Sequence, residues 1–183
     1  MRVQEVMSRM IGASVLDVGT YETVEADRGA TTQAMLVVLA SSLASGIGAS
    51  GFLHNRAPAA VAQGALLWTA ISLVAWAAWA LLVFQIGGRL LPEPQTSVDV
   101  GELMRTIGFA SAPGTLRLFG VVPELALPVF VLTTVWMLVT MVVAVRQALD
   151  YRSTARAIVV CVIGLSLTLL IVFGFGMLAS PLS

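Results

Sequence analysis

The sequence predicts an all-α polytopic membrane protein, a helical bundle of about five transmembrane helices preceded by an amphipathic interfacial helix. Composition is the first reason: 58% of the 183 residues are hydrophobic and 11% are charged, with a mean hydropathy of +0.93. A soluble domain has about 45–50% apolar and roughly 25% charged residues. The second reason is patterning, because long apolar runs alternate with short polar turns rich in Pro, Gly and Arg. The third is a polar, acidic first segment, which divides the chain into a cytoplasmic part, 1–30, and a transmembrane part, 31–183.

Within the first segment, Val3, Val6, Met7, Met10 and Ile11 recur at the spacing of one helix face, opposite Arg2, Glu5, Ser8 and Arg9. A helix lying in the membrane interface satisfies this pattern, and so does one packed beneath the bundle. Glu5 and Arg9 interrupt the N-terminus before any run reaches the length of a signal-peptide core, so insertion through the first span is expected. That span covers 32–53, with Thr31 or Thr32 able to cap it. Ser42 and Gly46, Ala44 and Gly48, and Gly46 and Ser50 are four apart, which predicts close helix packing.

A short turn at His54-Asn-Arg-Ala-Pro58 returns the chain into the second span, 59–86, whose Trp68, Trp76 and Trp79 read as packing aromatics. Gly87-Gly88 and Pro92-Glu-Pro94 end it. Ser97 or Asp99 is placed to cap the third span, 103–122, with Glu102 in its first turn. Pro113-Gly114 at its centre predicts a kinked or broken span, a re-entrant segment being the alternative. The fourth span, 125–145, is followed by a charged turn from Arg146 to Arg156 and then by an uncharged fifth span, 157–178.

Charge placement predicts orientation. On five spans, Arg2, Arg9, Arg28, Arg89, Arg105, Arg146, Arg152 and Arg156 share one side, against Arg56 and Arg117 on the other. The positive-inside rule then puts the N-terminus in the cytoplasm and the C-terminus outside. All ten basic residues are arginine, the usage of a GC-rich bacterial genome, so a bacterial cytoplasmic membrane is the expected location.

No catalytic site is expected. His54 is the sole histidine and Cys161 the sole cysteine, so no nucleophile–histidine–acid set, structural zinc site or disulfide can be assembled. A chain without lysine cannot carry a Gly-Lys-Ser/Thr phosphate loop. Net charge is zero, which leaves no footprint for nucleic acid. The sequence therefore implies no enzyme, no cofactor and no metal.

The candidate polar or partner sites are few. Arg117 and Glu124 are expensive in hydrocarbon, about 2.5–3.5 kcal/mol for a charge at a helix centre, so they mark either a polar site at the outer mouth or two snorkelling side chains. Glu22, Glu25 and Asp27 form an acidic cluster for which a divalent cation is one reading, but oxygen-only sites need more ligands than this spacing guarantees, so facing Arg152 or Arg156 near Asp150, or plain solvation, is expected. Glu102 and Arg105, three apart, can pair on one helix face.

Three stretches resemble the Yip domain proteins, named for Ypt-interacting proteins: Val24-Glu-Ala-Asp27, Glu102-Leu-Met-Arg-Thr-Ile-Gly-Phe-Ala-Ser-Ala-Pro113, and the turn Arg146-Gln-Ala-Leu-Asp-Tyr-Arg-Ser-Thr-Ala-Arg156. The resemblance implies five spans with a cytoplasmic N-terminus. It also implies a role of the kind its eukaryotic relatives have, in trafficking, Rab-type GTPase binding and membrane shape. The short N-terminal segment here departs from those relatives. Two expectations follow: a non-enzymatic protein that binds membrane lipids and a protein partner or second copy, as an accessory subunit or membrane organiser; or a small transporter or channel using the kinked third helix.

Overall fold

The computed structural model describes residues 3–52 and 58–179. Every element among them is helical: α1 Val3–Ser14, α2 Val18–Ala26, α3 Ala30–Gly48, α4 Pro58–Val83, α5 Val100–Ala110, α6 Pro123–Ala148 and α7 Thr154–Ala179. Helix α3 tightens into a 3-10 turn, Ala49–Phe52; α4 widens into a π turn, Phe84–Leu90; and a 3-10 segment, Ala112–Val121, joins α5 to α6. Three described stretches are long and apolar enough to cross a membrane, Ala30–Phe52, Leu73–Leu90 and Pro123–Ala148, while Thr154–Thr168 is apolar but shorter. The expectations for Arg2, for the turn at His54 and Arg56, and for 180–183 lie outside the described residues, as does the side chain of Trp68.

The long helices are inverted relative to those of a soluble bundle. On α6 the buried positions are mostly small, Ala126, Thr133, Thr140, Ala144 and Ala148 with Val145, whereas Leu127, Leu132, Val135 and Leu138 face outward. Hydrocarbon outside removes any drive to bury the large side chains, so small residues select the packed face. The same logic places α3: of the small residues expected on its packed face, Ser42, Ala44 and Gly48 are buried, and Ala34, Ser41 and Ser45 join them. Its closest approaches are made by Ala34, Ser41, Ser45 and Gly48, with Gly51 beyond, while Gly46 is only partly buried.

Capping follows local chemistry. Asp17 accepts from the Thr20 N–H and opens α2. Asp99 and Glu102 form a reciprocal capping box, each side chain accepting from the other's backbone N–H, which starts α5. Helix α3 starts at Ala30, ahead of both candidate threonines and without a side-chain cap; Asp27 instead accepts from the Gly29 N–H at 2.9 Å. Gly87 and Gly88 do not stop α4 but lie in its π turn, and the chain leaves the helix before Pro92.

The segment around Pro113 is broken, as the sequence predicts. Helix α5 ends at Ala110, and the following ten residues are wound as a 3-10 helix. It does not double back. Gly108 lies against Ala34, Gly114 against Ser41 and Arg117 against Ser45 and Gly48, rising along α3. Against α6 the order falls: Ala110 meets Thr140, Gly114 meets Met137, Arg117 meets Thr133 and Gly120 meets Phe130. The segment thus runs parallel to α3 and antiparallel to α6.

Candidate functional site

Two polar regions emerge. At the end of the bundle where α1, α2, the 91–99 loop and the α6–α7 turn meet, charged side chains fasten one element to the next. Asp27 pairs with Arg9 at 2.8 Å, and Arg9 also pairs with Glu5 at 3.0 Å and donates to Gln33 at 2.9 Å. The Arg9 hydrogen bond, followed by that of the Gly29 N–H, holds the Asp27 carboxyl below its ordinary range. Arg105, 5% exposed, does not pair with Glu102. Its guanidinium donates to the backbone carbonyl of Glu25 at the end of α2. Glu102 is occupied in the capping box.

Glu25 is half-buried, and its carboxyl is pushed up to about 7 by desolvation first and then by the charges of Asp150 and Glu102, with Arg105 opposing. Arg156 does not face the acidic cluster. It pairs with Glu93 at 3.5 Å and donates to the Pro92 carbonyl at 2.9 Å. Glu93 also accepts from the Arg152 backbone N–H at 3.0 Å, and that bond is the main reason its carboxyl lies below the ordinary range. Asp150 sits in the left-handed region, φ 52°, just past α6, and its carbonyl accepts from Gln95 at 2.9 Å. An aspartate tolerates that conformation better than most residues.

Aromatic donors complete this end. The Tyr21 hydroxyl donates to the Ala13 carbonyl at 3.1 Å and lies 3.3 Å from that of Thr140. Trp136 Nε1 donates to Ser14 at 2.7 Å, Trp76 Nε1 to Met104 at 3.1 Å, and the Tyr151 hydroxyl lies between the carbonyls of Gly87 and Leu91. The acceptors at Ala13, Ser14, Gly87 and Leu91 lie where helical backbone runs out and carbonyls lose their partners. The Ala13 carbonyl also accepts from the Leu16 N–H at 3.2 Å, while a carbonyl left without any donor in an apolar setting is costly.

The second region surrounds Arg117. Pro113 and Gly114 are buried beneath α3, and the 3-10 winding brings Arg117 under the middle of α6. Its Nε donates to Thr133 Oγ1 at 3.1 Å, Nη2 to Thr134 Oγ1 at 2.8 Å and Nη1 to Ser45 Oγ at 3.3 Å. The guanidinium also stands over the Phe130 ring, 5.2 Å from its centroid. Glu124 points outward and is exposed, and no ion pair links it to Arg117 among the described residues. The two residues singled out as a joint site are therefore not brought together.

Beside Arg117 lie two adjoining cavities. One, about 420 Å³, is bounded by α3, α4 and α5, with Ser41, Ser42, Ser45, Trp76 and Ser111 on its wall. The other, about 480 Å³, lies between α6 and α7. Trp79, Arg117, Met137 and Met141 line both. Trp79 Nε1 is buried and has no acceptor among the described residues.

Several participants escape a sequence reading: Arg9, Glu93, Tyr151, Trp136 and the Ser45–Thr133–Thr134 set. Thr133-Thr134 carried a local signal, as a polar pair inside an otherwise apolar run. The others depend on contacts across the fold. Among the described residues no group of three or more His, Cys, Asp or Glu side chains is placed to hold a metal ion.

Apolar outward faces, long apolar helices, and charges gathered mainly at one end among the described residues define an integral membrane protein of the helical class. A family model, the Yip1 domain, matches residues 18–176, and the chain belongs to that family. No curated protein and no solved structure matches it.

Proposed function

We propose that this chain is a non-enzymatic, five-span Yip protein of a bacterial cytoplasmic membrane, N-terminus inside and C-terminus outside, that organises the membrane through helix α1. One observation carries the reading. Val3, Met7, Ile11 and Val15, four apart, are each more than half exposed, although α1 is held firmly on its other side. Val6, Met10 and Ala13 pack on the core, Arg9 ties the helix to Asp27, and Trp136 and Tyr21 hold its last carbonyls. An apolar stripe held rigidly outward in a membrane protein belongs in lipid, where such a helix adds area to one leaflet.

A transporter with a path through Arg117 and Glu124 is less well supported, because those residues point apart and translocation paths need several interior polar groups. The test is reconstitution of wild type and a Val3→Ser, Met7→Ser, Ile11→Ser variant at equal protein-to-lipid ratio. Smaller or tubular vesicles with wild type and ordinary ones with the variant support membrane organisation. Identical vesicles, together with native-gel migration in a stoichiometric larger complex, would replace this reading with that of an accessory subunit.

A further inference from the structure

The α1 reading makes no use of Arg117, whose setting is the least economical in the molecule. Thr133 and Thr134 lie ten and eleven residues into α6, roughly 15 Å from its start at the rise of an α-helix. That depth belongs to hydrocarbon, where a guanidinium needs a counter-charge or water. Among the described residues no carboxylate lies within 4.0 Å of it. Three hydroxyls take three of its five N–H groups. Hydroxyls supply dipoles without neutralising the charge.

The space beside it matches an amphiphile. The cavity between α6 and α7 has almost wholly apolar walls, and its rim residues Leu138, Ile158, Val162 and Leu165 are exposed on the face that would meet lipid. At about 480 Å³ it lies within the roughly 300–1,000 Å³ of small-molecule sites. A second donor, Trp79 Nε1, has no acceptor among the described residues and lies on the side chain that lines both cavities.

We infer that this cleft binds one acidic phospholipid, its phosphate at the free N–H groups of Arg117 and an acyl chain along the α6–α7 cavity. The lipid enters sideways from the bilayer. Bilayer thinning around a buried arginine brings the headgroup down to it.

Trp79 reports occupancy directly. The full chain is reconstituted in phosphatidylcholine vesicles carrying a minor fraction of brominated phosphatidylglycerol or, in parallel, brominated phosphatidylcholine. The Trp79 signal is the difference between wild type and Trp79→Phe. Selective binding gives stronger quenching by the acidic lipid, with an apparent preference of about fivefold, the order expected for one basic residue meeting an anionic headgroup. Arg117→Gln abolishes the preference. Cys161→Phe, which fills the α6–α7 cavity and leaves the arginine intact, abolishes it too and covers the case in which Arg117→Gln does not fold. Equal quenching by the two lipids in wild type overturns the inference, as does a preference that survives in a folded Arg117→Gln protein. Loss of the preference on adding millimolar inorganic phosphate at constant ionic strength also overturns it, because the site would then take a small anion.

Discussion

A single methyl group tests whether the α3 interface is as tight as its geometry requires. An ideal Cβ on Gly48 would stand 1.9 Å from the carbonyl oxygen of Arg117 and 3.4 Å from Phe130. Ordinary contact begins near 3.4 Å, so Gly48→Ala forces α3 and the 3-10 segment apart by about 1.5 Å unless the backbone bends. A gap of 0.5–1 Å already forfeits a quarter to a half of a van der Waals well, and this seam includes the equally close approach of Gly51 to Gly120. Overpacking costs about 1–3 kcal/mol, and loss of the facing contacts places Gly48→Ala at the upper end. Gly64, in α4, provides the control, because a Cβ there meets nothing within 4 Å. Alanine is better than glycine in a helix by about 1 kcal/mol, so Gly64→Ala leaves stability unchanged or slightly raised. Thermal unfolding of both variants in the same detergent, followed by the near-ultraviolet tryptophan signal, gives the comparison. A Gly48→Ala protein melting with wild type, or a Gly64→Ala protein melting as low as Gly48→Ala, would refute the argument that backbone contact holds this seam.

The charged end of the bundle yields two shorter predictions. Glu25 has a folded-state pKa near 7, above its ordinary 4.5, so the folded state binds more protons than the unfolded state between those values. Its contribution is complete below about pH 4.5 and is lost as pH rises through 7, on the order of 1 kcal/mol after allowing for screening of a half-buried group; Glu25→Gln should flatten that part of the stability–pH curve, and an unchanged curve would remove Glu25 as its source. Tyr151→Phe leaves the Gly87 and Leu91 carbonyls without their hydroxyl, at a cost of about 1–2 kcal/mol, and it should speed amide exchange in the π turn more than in α6.

The legible parts of this fold are those whose physics is local. Apolar length marks the helices, Asp99 and Glu102 are three apart and announce their capping box, and Pro113 announces a break because it lacks an N–H. Helix phase was legible in part. A helix apolar all round gives no moment to read, so small-residue spacing in α3 found Ser42, Ala44 and Gly48, which are buried, together with Gly46, which is only partly buried, and passed over Ser41 and Ser45. Pairing was misread for a related reason. Glu102 and Arg105 are adjacent on one face, yet the capping N–H of Asp99 holds the carboxylate and Glu25, 80 residues away from Arg105, supplies the carbonyl. Sequence spacing can show that two groups are within reach; it cannot show a better partner brought in by the fold.

The number of crossings turns on the α5 segment, and backbone satisfaction argues for passage. A re-entrant segment must reverse at mid-membrane, exposing several carbonyls and N–H groups with no water to meet them. Here the break is a change of pitch without reversal. Ser111 Oγ donates to the Gly108 carbonyl at 2.6 Å, Thr115 Oγ1 to that of Ala112 at 2.8 Å, and the Gly114 N–H to Ser111 at 2.9 Å, so the turns on both sides of Pro113 stay bonded. Eleven α-helical and ten 3-10 residues rise about 16 and 20 Å, enough together for a hydrocarbon core of about 30 Å. Passage places Glu124 opposite both Gln95 and Arg152, which the Glu93 contacts already hold at one end. In a Cys161→Ala background, single Gln95→Cys, Glu124→Cys and Arg152→Cys variants can be treated in intact cells with a membrane-impermeant maleimide. Labelling of Glu124→Cys alone is the five-crossing result. Labelling of Arg152→Cys with protection of the other two would require the segment to return to the side it left, so the five-span topology and the outside C-terminus would fall while the N-terminus stayed inside.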